Sequence, residues 1–211
     1  VGIAYTYSEP LMWYEFVLDA AMLAREKGLK NVMVSNGFVQ EEPLHRLLPY
    51  IDAWNVDVKG FREDYYRRIV HGKLEPVLET CRRIKESGSH LEITTLLVPG
   101  LNDSPDELEA LTDFVVTLGK EVPLHFSRYF PHYKMSREPT PISSLVRARE
   151  IALKKLQYVY LGNVELPGSS DTRCPSCGET VIRRSFYHTR IVGLRDDRTC
   201  RNCGYKVYIV G

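Results

Sequence analysis

The chain has 211 residues, with 28 lysines and arginines against 27 aspartates and glutamates. This balance creates no overall field that would recruit nucleic acid or an anionic membrane. No apolar run approaches the roughly 20 residues that span a bilayer, and no signal peptide is visible, so we expect a cytoplasmic protein. The sequence opens inside a strand-like pattern without an initiator Met, and we therefore expect an N-terminally truncated chain.

Short β-branched or aromatic runs alternate with longer amphipathic segments along most of the chain. The predicted strands are residues 3–7, 31–34, 53–58, 93–98, 124–129 and 158–161. The predicted helices are residues 11–27, a short one after 43, 64–69, 76–87, 105–118 and one from about 143. Ser104 is the expected N-cap of the fifth helix, with Glu107 completing a capping box.

This alternation predicts a parallel sheet with helices outside it. Five or six strand–helix units are too few for a complete eight-stranded barrel. We therefore predict an α/β fold of the partial, TIM-like β/α barrel type over residues 1–165, followed by a separate small module over residues 166–211.

The tail carries two CxxCG turns, whose cysteines are Cys174, Cys177, Cys200 and Cys203. Two such turns supply four thiolates for one tetrahedral ion, and zinc is favoured over iron. Residues 180–184 and 187–192 are candidate strands of a hairpin between them, so we predict a zinc-ribbon-like module. Two disulfides or a rubredoxin-like iron site are the alternatives. Cys81 has no partner in sequence and is predicted to be a packed core thiol.

Polar or turn-forming residues follow the predicted strands one after another. In parallel β/α folds, functional groups collect at the carboxyl ends of the strands. Together these residues predict a ligand site: Ser8, Glu9, Ser35, Asn36, Asp57, Lys59, Pro99 and His132.

Structural explanations stay open for each of them. Ser8 or Glu9 fits a cap of the helix that follows the first strand, and Asn36 fits a turn. Asp57 and Lys59 fit an ion pair, and His132 fits an ordinary surface loop. No catalytic dyad is visible, so the catalytic residues stay unassigned.

Several motifs in a fixed order resemble a known family. They are IAYTYSEP at residues 3–10, VSNGF at 34–38, NVDVKGF at 55–61, TLLVPGLND at 95–103, FPHYKM at 130–135, YLGN at 160–163 and the closing CxxCG pairs. This set resembles the radical S-adenosylmethionine (SAM) enzyme of the AmmeMemoRadiSam system, a group similar to the activating enzymes of pyruvate formate-lyase.

The resemblance implies chemistry at a 4Fe-4S cluster held by a CxxxCxxC motif. The reduced cluster would cleave SAM to a 5′-deoxyadenosyl radical, which abstracts hydrogen from a substrate. No CxxxCxxC occurs in these 211 residues. The family's layout would put it upstream of Val1, so we expect this chain alone to be inactive.

The same resemblance implies roles for individual residues. Ser8 and Glu9 match the motif that receives the SAM amino group, where a carboxylate suits an ammonium. Asp57 and Lys59 match a pair near the SAM carboxylate.

The remaining site residues match positions along the rest of SAM. Ser35 and Asn36 match the strand end beside its methionine and ribose, and Pro99 a segment approached by adenine. His132 matches a histidine near the ribose or adenosyl end.

Two other functions stay open. The first is a Schiff-base barrel lyase that uses Lys59 as nucleophile. The second is a non-catalytic binding protein that docks through the metal ribbon, whose tail is locally basic. For the radical SAM interpretation, the expected partners are an electron donor and an unidentified protein or small-molecule substrate, with no membrane and no nucleic acid.

Overall fold

The computed structural model describes residues 1–185 and 188–210. Six parallel strands form one sheet in the order β1-β2-β3-β4-β5-β6. Their bounds are β1 Gly2–Tyr5, β2 Lys30–Ser35, β3 Ala53–Asp57, β4 His90–Leu97, β5 Leu124–Arg128 and β6 Val159–Gly162. Because all five strand pairs are parallel, all carboxyl ends meet at one edge, as the strand–helix alternation predicts.

Helices connect these strands. They are α1 Tyr14–Glu26, α2 Glu41–Leu47, α3 Glu63–Tyr65, α4 Leu74–Glu86, α5 Pro105–Leu118 and α6 Ile142–Leu153. None of the helices in the described ranges is long and apolar enough to cross a membrane.

The residues of β4 show how the sheet divides its two faces. Leu91, Ile93 and Leu97 are buried in the apolar core, whereas the alternate residues His90 and Glu92 are only partly buried. Successive side chains of a strand point to opposite faces. One face of the sheet therefore packs under the helices, and the other, here called the inner face, carries polar groups.

Two predicted helices differ from the structure. The segment 11–27 begins with a 3-10 turn at Pro10–Trp13, and its α-helical part is Tyr14–Glu26. The segment 64–69 is the short α3 followed by a π-helix at Tyr66–Val70, which ends at His71 with φ 58°. A period of 3.6 residues does not anticipate a π-helical turn, because the extra residue shifts the pattern.

The predicted capping box is half formed. Ser104 Oγ accepts a hydrogen bond from Glu107 N at 3.4 Å. The Glu107 carboxylate turns away from the cap, and accepts from Phe61 N at 2.8 Å instead. A long-range acceptor role thus replaces the local one.

The tail forms a small antiparallel sheet of β7 Thr172–Arg173, β8 Thr180–Ser185 and β9 His188–Ile191. Tyr187, the first residue of the second predicted hairpin strand, lies outside the described residues. A second apolar cluster holds this sheet together, and it includes Tyr158 from the barrel side of the expected boundary. The division at residue 165 stays a prediction.

A buried asparagine ties the first strands together. Asn31, fully buried on β2, donates to Ala21 O and Tyr50 O at 2.9 Å each and accepts from the Tyr5 hydroxyl at 3.1 Å. We expect Asn31→Ala to lower the free energy of unfolding by on the order of 2–3 kcal/mol, because buried carbonyls lose their donors. Chemical denaturation measures this free energy. Lys30→Ala is the control, because the Lys30 side chain is 72% exposed and loses only its ion pair with Asp52. Equal losses in the two variants would contradict the prediction.

Candidate functional site

Glu9 joins the ends of β1 and β2. Its Oε1 accepts from Ser35 Oγ at 2.8 Å and from Leu11 N at 3.1 Å, and its Oε2 accepts from Asn36 N at 2.7 Å. The helix-cap role left open for Glu9 is therefore present, at the start of a 3-10 turn. The bonds from Ser35 and Asn36 to Glu9 are contacts that the sequence analysis did not predict. An ionised carboxylate has about four acceptor positions, so these three bonds leave one for a ligand. Ser8 is exposed beside Glu9.

Asp57 and Lys59 follow β3 at the same edge. Lys59 Nζ donates to Asp57 Oδ2 at 2.9 Å, and both side chains are more than one-third exposed. With Asn36 they line a cavity of about 300 Å³, whose other walls are formed by Phe38, Tyr66, Val70, His71, Gly72 and Val77. Glu9 and Asp57 thus lie on one rim, as the parallel order predicts.

The backbone after Asp57 is held from three other elements. Lys59 N donates to the Tyr66 hydroxyl at 3.1 Å, and Phe61 N donates to Glu107. The buried Asn102 donates to Lys59 O at 2.7 Å and to Leu96 O at 2.8 Å. Asn102 also accepts from Val98 N at 2.7 Å. One amide therefore fixes the ends of β3 and β4 relative to each other.

Pro99 and His132 lie on loops next to this rim. Arg137 Nη1 donates to Pro99 O at 3.0 Å, which links the loop after β5 to the loop after β4. Thr140 Oγ1 donates to Leu97 O at 2.6 Å, which fixes the far end of the loop after β5 to the end of β4. His132 is exposed on the loop after β5 and forms an isolated bridge with Met135.

A cluster that the strand-end rule did not identify lies on the inner face. Glu92 accepts from ring nitrogens of His125 at 2.7 Å and His90 at 3.0 Å. Although burial opposes ionisation of Glu92, the bonds to His125 and His90 lower its pKa well below the ordinary value. The predicted fourth strand begins at residue 93, three residues after the observed start of β4 at His90. His90 and Glu92 therefore lie outside the predicted strand, whose alternation would have put them on one face.

The four tail cysteines converge as predicted. All four Sγ atoms lie within 4.8 Å of one another, with Cys174 and Cys203 Sγ 3.6 Å apart and Cys177 and Cys200 Sγ 3.7 Å apart. Tetrahedral zinc with Zn–S bonds of about 2.3 Å requires sulfurs about 3.8 Å apart. The donor set fits one tetrahedral ion and leaves no open position.

Cys81 is fully buried in the main core, and burial raises the pKa of its thiol to about 12. It is the packed core thiol that the sequence predicts. The described residues therefore offer no separate set of three thiolates for a 4Fe-4S cluster.

The comparisons with known proteins decide the family. A model described as the radical SAM superfamily matches residues 1–115. The chain belongs to the radical SAM superfamily. The matched region contains Glu9, Ser35, Asn36, Asp57 and Lys59, which the fold brings to one edge.

Relatives of this radical SAM chain include glycyl-radical activating enzymes. The uncharacterized protein MJ0808 of Methanocaldococcus jannaschii is 45% identical over 213 residues, covering 99% of this chain and 63% of that protein. The pyruvate formate-lyase-activating enzyme of Listeria monocytogenes is 23% identical over 123 residues, covering 56% of this chain and 50% of that enzyme. The chain thus spans less than two thirds of either relative.

A solved structure shows the same fold. The domain of pyruvate-formate lyase-activating enzyme from Bacteroides vulgatus superposes with a TM-score of 0.67 at 17% identity, covering 77% of this chain and 99% of that domain. This match confirms the parallel α/β architecture of the radical SAM type.

We expect the double variant Cys174→Ser, Cys177→Ser to lose the metal, because two thiolates are too few for a closed tetrahedral site. Metal analysis should find about one zinc per wild-type chain and none in the variant. Cys81→Ala is the control and should keep its zinc. Stoichiometric zinc in the double variant would contradict the four-cysteine site.

We expect Asn102→Ala to disturb the rim through lost hydrogen bonds. Val98 N and Lys59 O would lose their partner, at a cost on the order of 2–3 kcal/mol. The Val98 amide should exchange faster with solvent, and the resonance of the Gly60 amide, which shares a peptide group with the Lys59 carbonyl, should shift. Asp103→Ala is the control, since within the described residues Asp103 accepts from the exposed Gly100 N. If both variants leave the Gly60 amide unchanged, Asn102 does not position the end of β3.

Proposed function

We propose that this chain is the SAM-binding part of an AmmeMemoRadiSam-type radical SAM enzyme with an activating-enzyme-like role. The observation that carries the proposal is the meeting of five matched strand-end residues at one edge, inside the region assigned to the superfamily. With a reduced 4Fe-4S cluster, SAM supplies a 5′-deoxyadenosyl radical that abstracts hydrogen from a substrate. The substrate is an unidentified protein or small molecule.

The rim residues bind and orient SAM in this proposal. The remaining acceptor position of Glu9, with Ser8 beside it, receives the SAM ammonium. The Lys59 ammonium complements the SAM carboxylate, and Asp57 keeps Lys59 in place at 2.9 Å.

The neighbouring loops contact the rest of SAM. Ser35 and Asn36, fixed by Glu9, lie beside its methionine and ribose. Pro99 lies against the adenine, and His132 closes over the ribose on a loop that Arg137 and Thr140 hold to β4.

The cluster thiolates come from a segment outside this sequence that packs against β1. Two exposed surfaces support this docking place. Among the described strands β1 is the first of the sheet, and Ile3 on it is 38% exposed. Met12 on the 3-10 turn and Phe16 and Leu23 on α1 are 80%, 68% and 57% exposed, and exposed apolar side chains and open strand edges are surfaces that bind another segment. A cluster held there would require an electron donor to reduce it.

The tail ion is zinc with a structural role, because four thiolates leave no position for substrate. The Schiff-base alternative is less well supported. Lys59 Nζ is held by Asp57 at 2.9 Å, whereas a Schiff-base lysine needs an amine that is free to attack a carbonyl. No observation in the described residues favours it over SAM binding.

Anaerobic reconstitution tests the proposal on two proteins: this chain, and the chain extended by its upstream segment. Only the extended protein should assemble the cluster and form 5′-deoxyadenosine under a strong reductant. Glu9→Ala in that protein should weaken SAM binding by on the order of 1.5–3 kcal/mol, because a charged hydrogen bond is lost.

Glu15→Ala on the exposed side of α1 is the matched control. Robust 5′-deoxyadenosine from the short chain would show that the cluster is held elsewhere. Unchanged SAM affinity in Glu9→Ala would remove Glu9 from the binding site.

A further inference from the structure

The linker after β6 runs back along that strand. Leu161 N donates to Ser169 O at 3.0 Å, and the Tyr160 hydroxyl lies 2.9 Å from Thr172 Oγ1. This antiparallel course puts Gly168 beside the last residues of β6, at the same edge of the sheet as the cofactor rim. Gly168 has φ 72°, a conformation that a side chain would strain.

Two guanidinium groups meet at Gly168 from different elements. Arg149 on α6 points its Nη2 at Gly168 O, 3.4 Å away. Arg173 on β7 has its Nη2 3.8 Å from the position that a Cβ on Gly168 would take. Like charges so placed repel unless something negative lies between them.

Arg149 is incompletely satisfied. Its Nε is buried and has no hydrogen-bond partner among the described residues. Burial, and next the charge of Arg173, lower the pKa of Arg149. A buried donor without an acceptor is unfavourable, so this geometry is suited to a ligand that supplies one.

The nearby Asp171 carboxylate fills this role only in part. Its charge opposes that of Arg173 on Arg149, but one carboxylate leaves one of the two guanidinium charges unbalanced. Asp171 Oδ1 accepts from Arg184 N at 2.8 Å, and its Oδ2 faces Gly168. No ion pair joins Asp171 to Arg149 or Arg173 in the described ranges. Arg184 is turned elsewhere, because its Nη1 donates to Ser170 O and Thr172 Oγ1.

We propose that Arg149 and Arg173 form a phosphate site at Gly168 that binds the phosphate of a small phosphomonoester. Guanidinium forks match phosphate oxygens in pairs. The two guanidinium groups converge on a single point at Gly168, which favours one terminal phosphate of a small molecule over a nucleic-acid backbone with several neighbouring charges. The site uses neither SAM nor a cluster, so it stands apart from the radical chemistry.

The test is titration with inorganic phosphate at constant ionic strength, with chloride as the reference salt, followed by isothermal calorimetry and by the amide resonance of Gly168. Phosphate should bind the wild-type chain, and Arg149→Gln and Arg173→Gln should each weaken binding at least tenfold. Arg147→Gln, an exposed residue on the same helix, should bind as wild type does. Absent binding, or equal binding in all four proteins, would overturn the site.

Two further measurements separate the alternatives. Without phosphate, Arg149→Met should melt no lower than wild type, because it removes a buried Nε donor that has no acceptor among the described residues and loses only a long 3.4 Å contact from Nη2. A lower melting temperature would mean that Arg149 is a structural hydrogen-bond donor. Adenosine monophosphate should displace phosphate more effectively than a single-stranded RNA lacking terminal phosphates. If the RNA is the better competitor at these arginines, the phosphomonoester assignment is wrong.

Discussion

The side-chain amide of Asn102 is the interaction on which the rim of the sheet depends. Parallel pairing alone brings strand ends to one edge, but it leaves the loops beyond them free to diverge. Asn102 links these loops through three hydrogen bonds: to Lys59 O just after β3, to Leu96 O near the end of β4, and from Val98 N just after β4. The Glu9 carboxylate similarly joins the ends of β1 and β2, because it accepts hydrogen bonds from Ser35 Oγ and Asn36 N. The rim is thus linked by polar side chains, buried at Ser35 and Asn102 and partly exposed at Glu9, that accept or donate between neighbouring strand ends.

Most of the sheet follows from the sequence, because β-branched runs alternate with amphipathic ones. Because the carboxyl ends of parallel strands share an edge, the sequence alone predicts that Glu9, Asn36, Asp57 and Lys59 lie together. The hydrogen-bond partners of most polar groups at this edge could not be predicted from the sequence. The neighbouring sequence does not indicate that Glu107 accepts a hydrogen bond from Phe61 N, 46 positions away, instead of completing its capping box. Nor does it indicate that Asn102 donates to Lys59 O. Such bonds are decided by packing between elements, which a single pass along the chain does not contain.

The inner-face cluster shows the same limit in another form. His90, Glu92 and His125 alternate with buried aliphatic residues, so their common face is readable from parity alone. Their contact also requires the register of β4 against β5, which places Thr94 opposite His125. The cysteine module was more predictable, because four ligands at fixed spacing determine their own geometry. Its attachment through Tyr158 was not predictable, since that residue belongs by pattern to the last strand.

The π-helix at Tyr66–Val70 has a consequence for how this chain tolerates changes in length. A π-turn contains one residue more than an α-turn, and each residue of an α-helix advances the azimuth by about 100°. Deleting one residue there would restore α-helical geometry and rotate the preceding turn by about that angle. The Tyr66 hydroxyl would leave Lys59 N, although composition and hydrophobicity would hardly change. In this segment the number of residues therefore matters more for the structure than which residues they are.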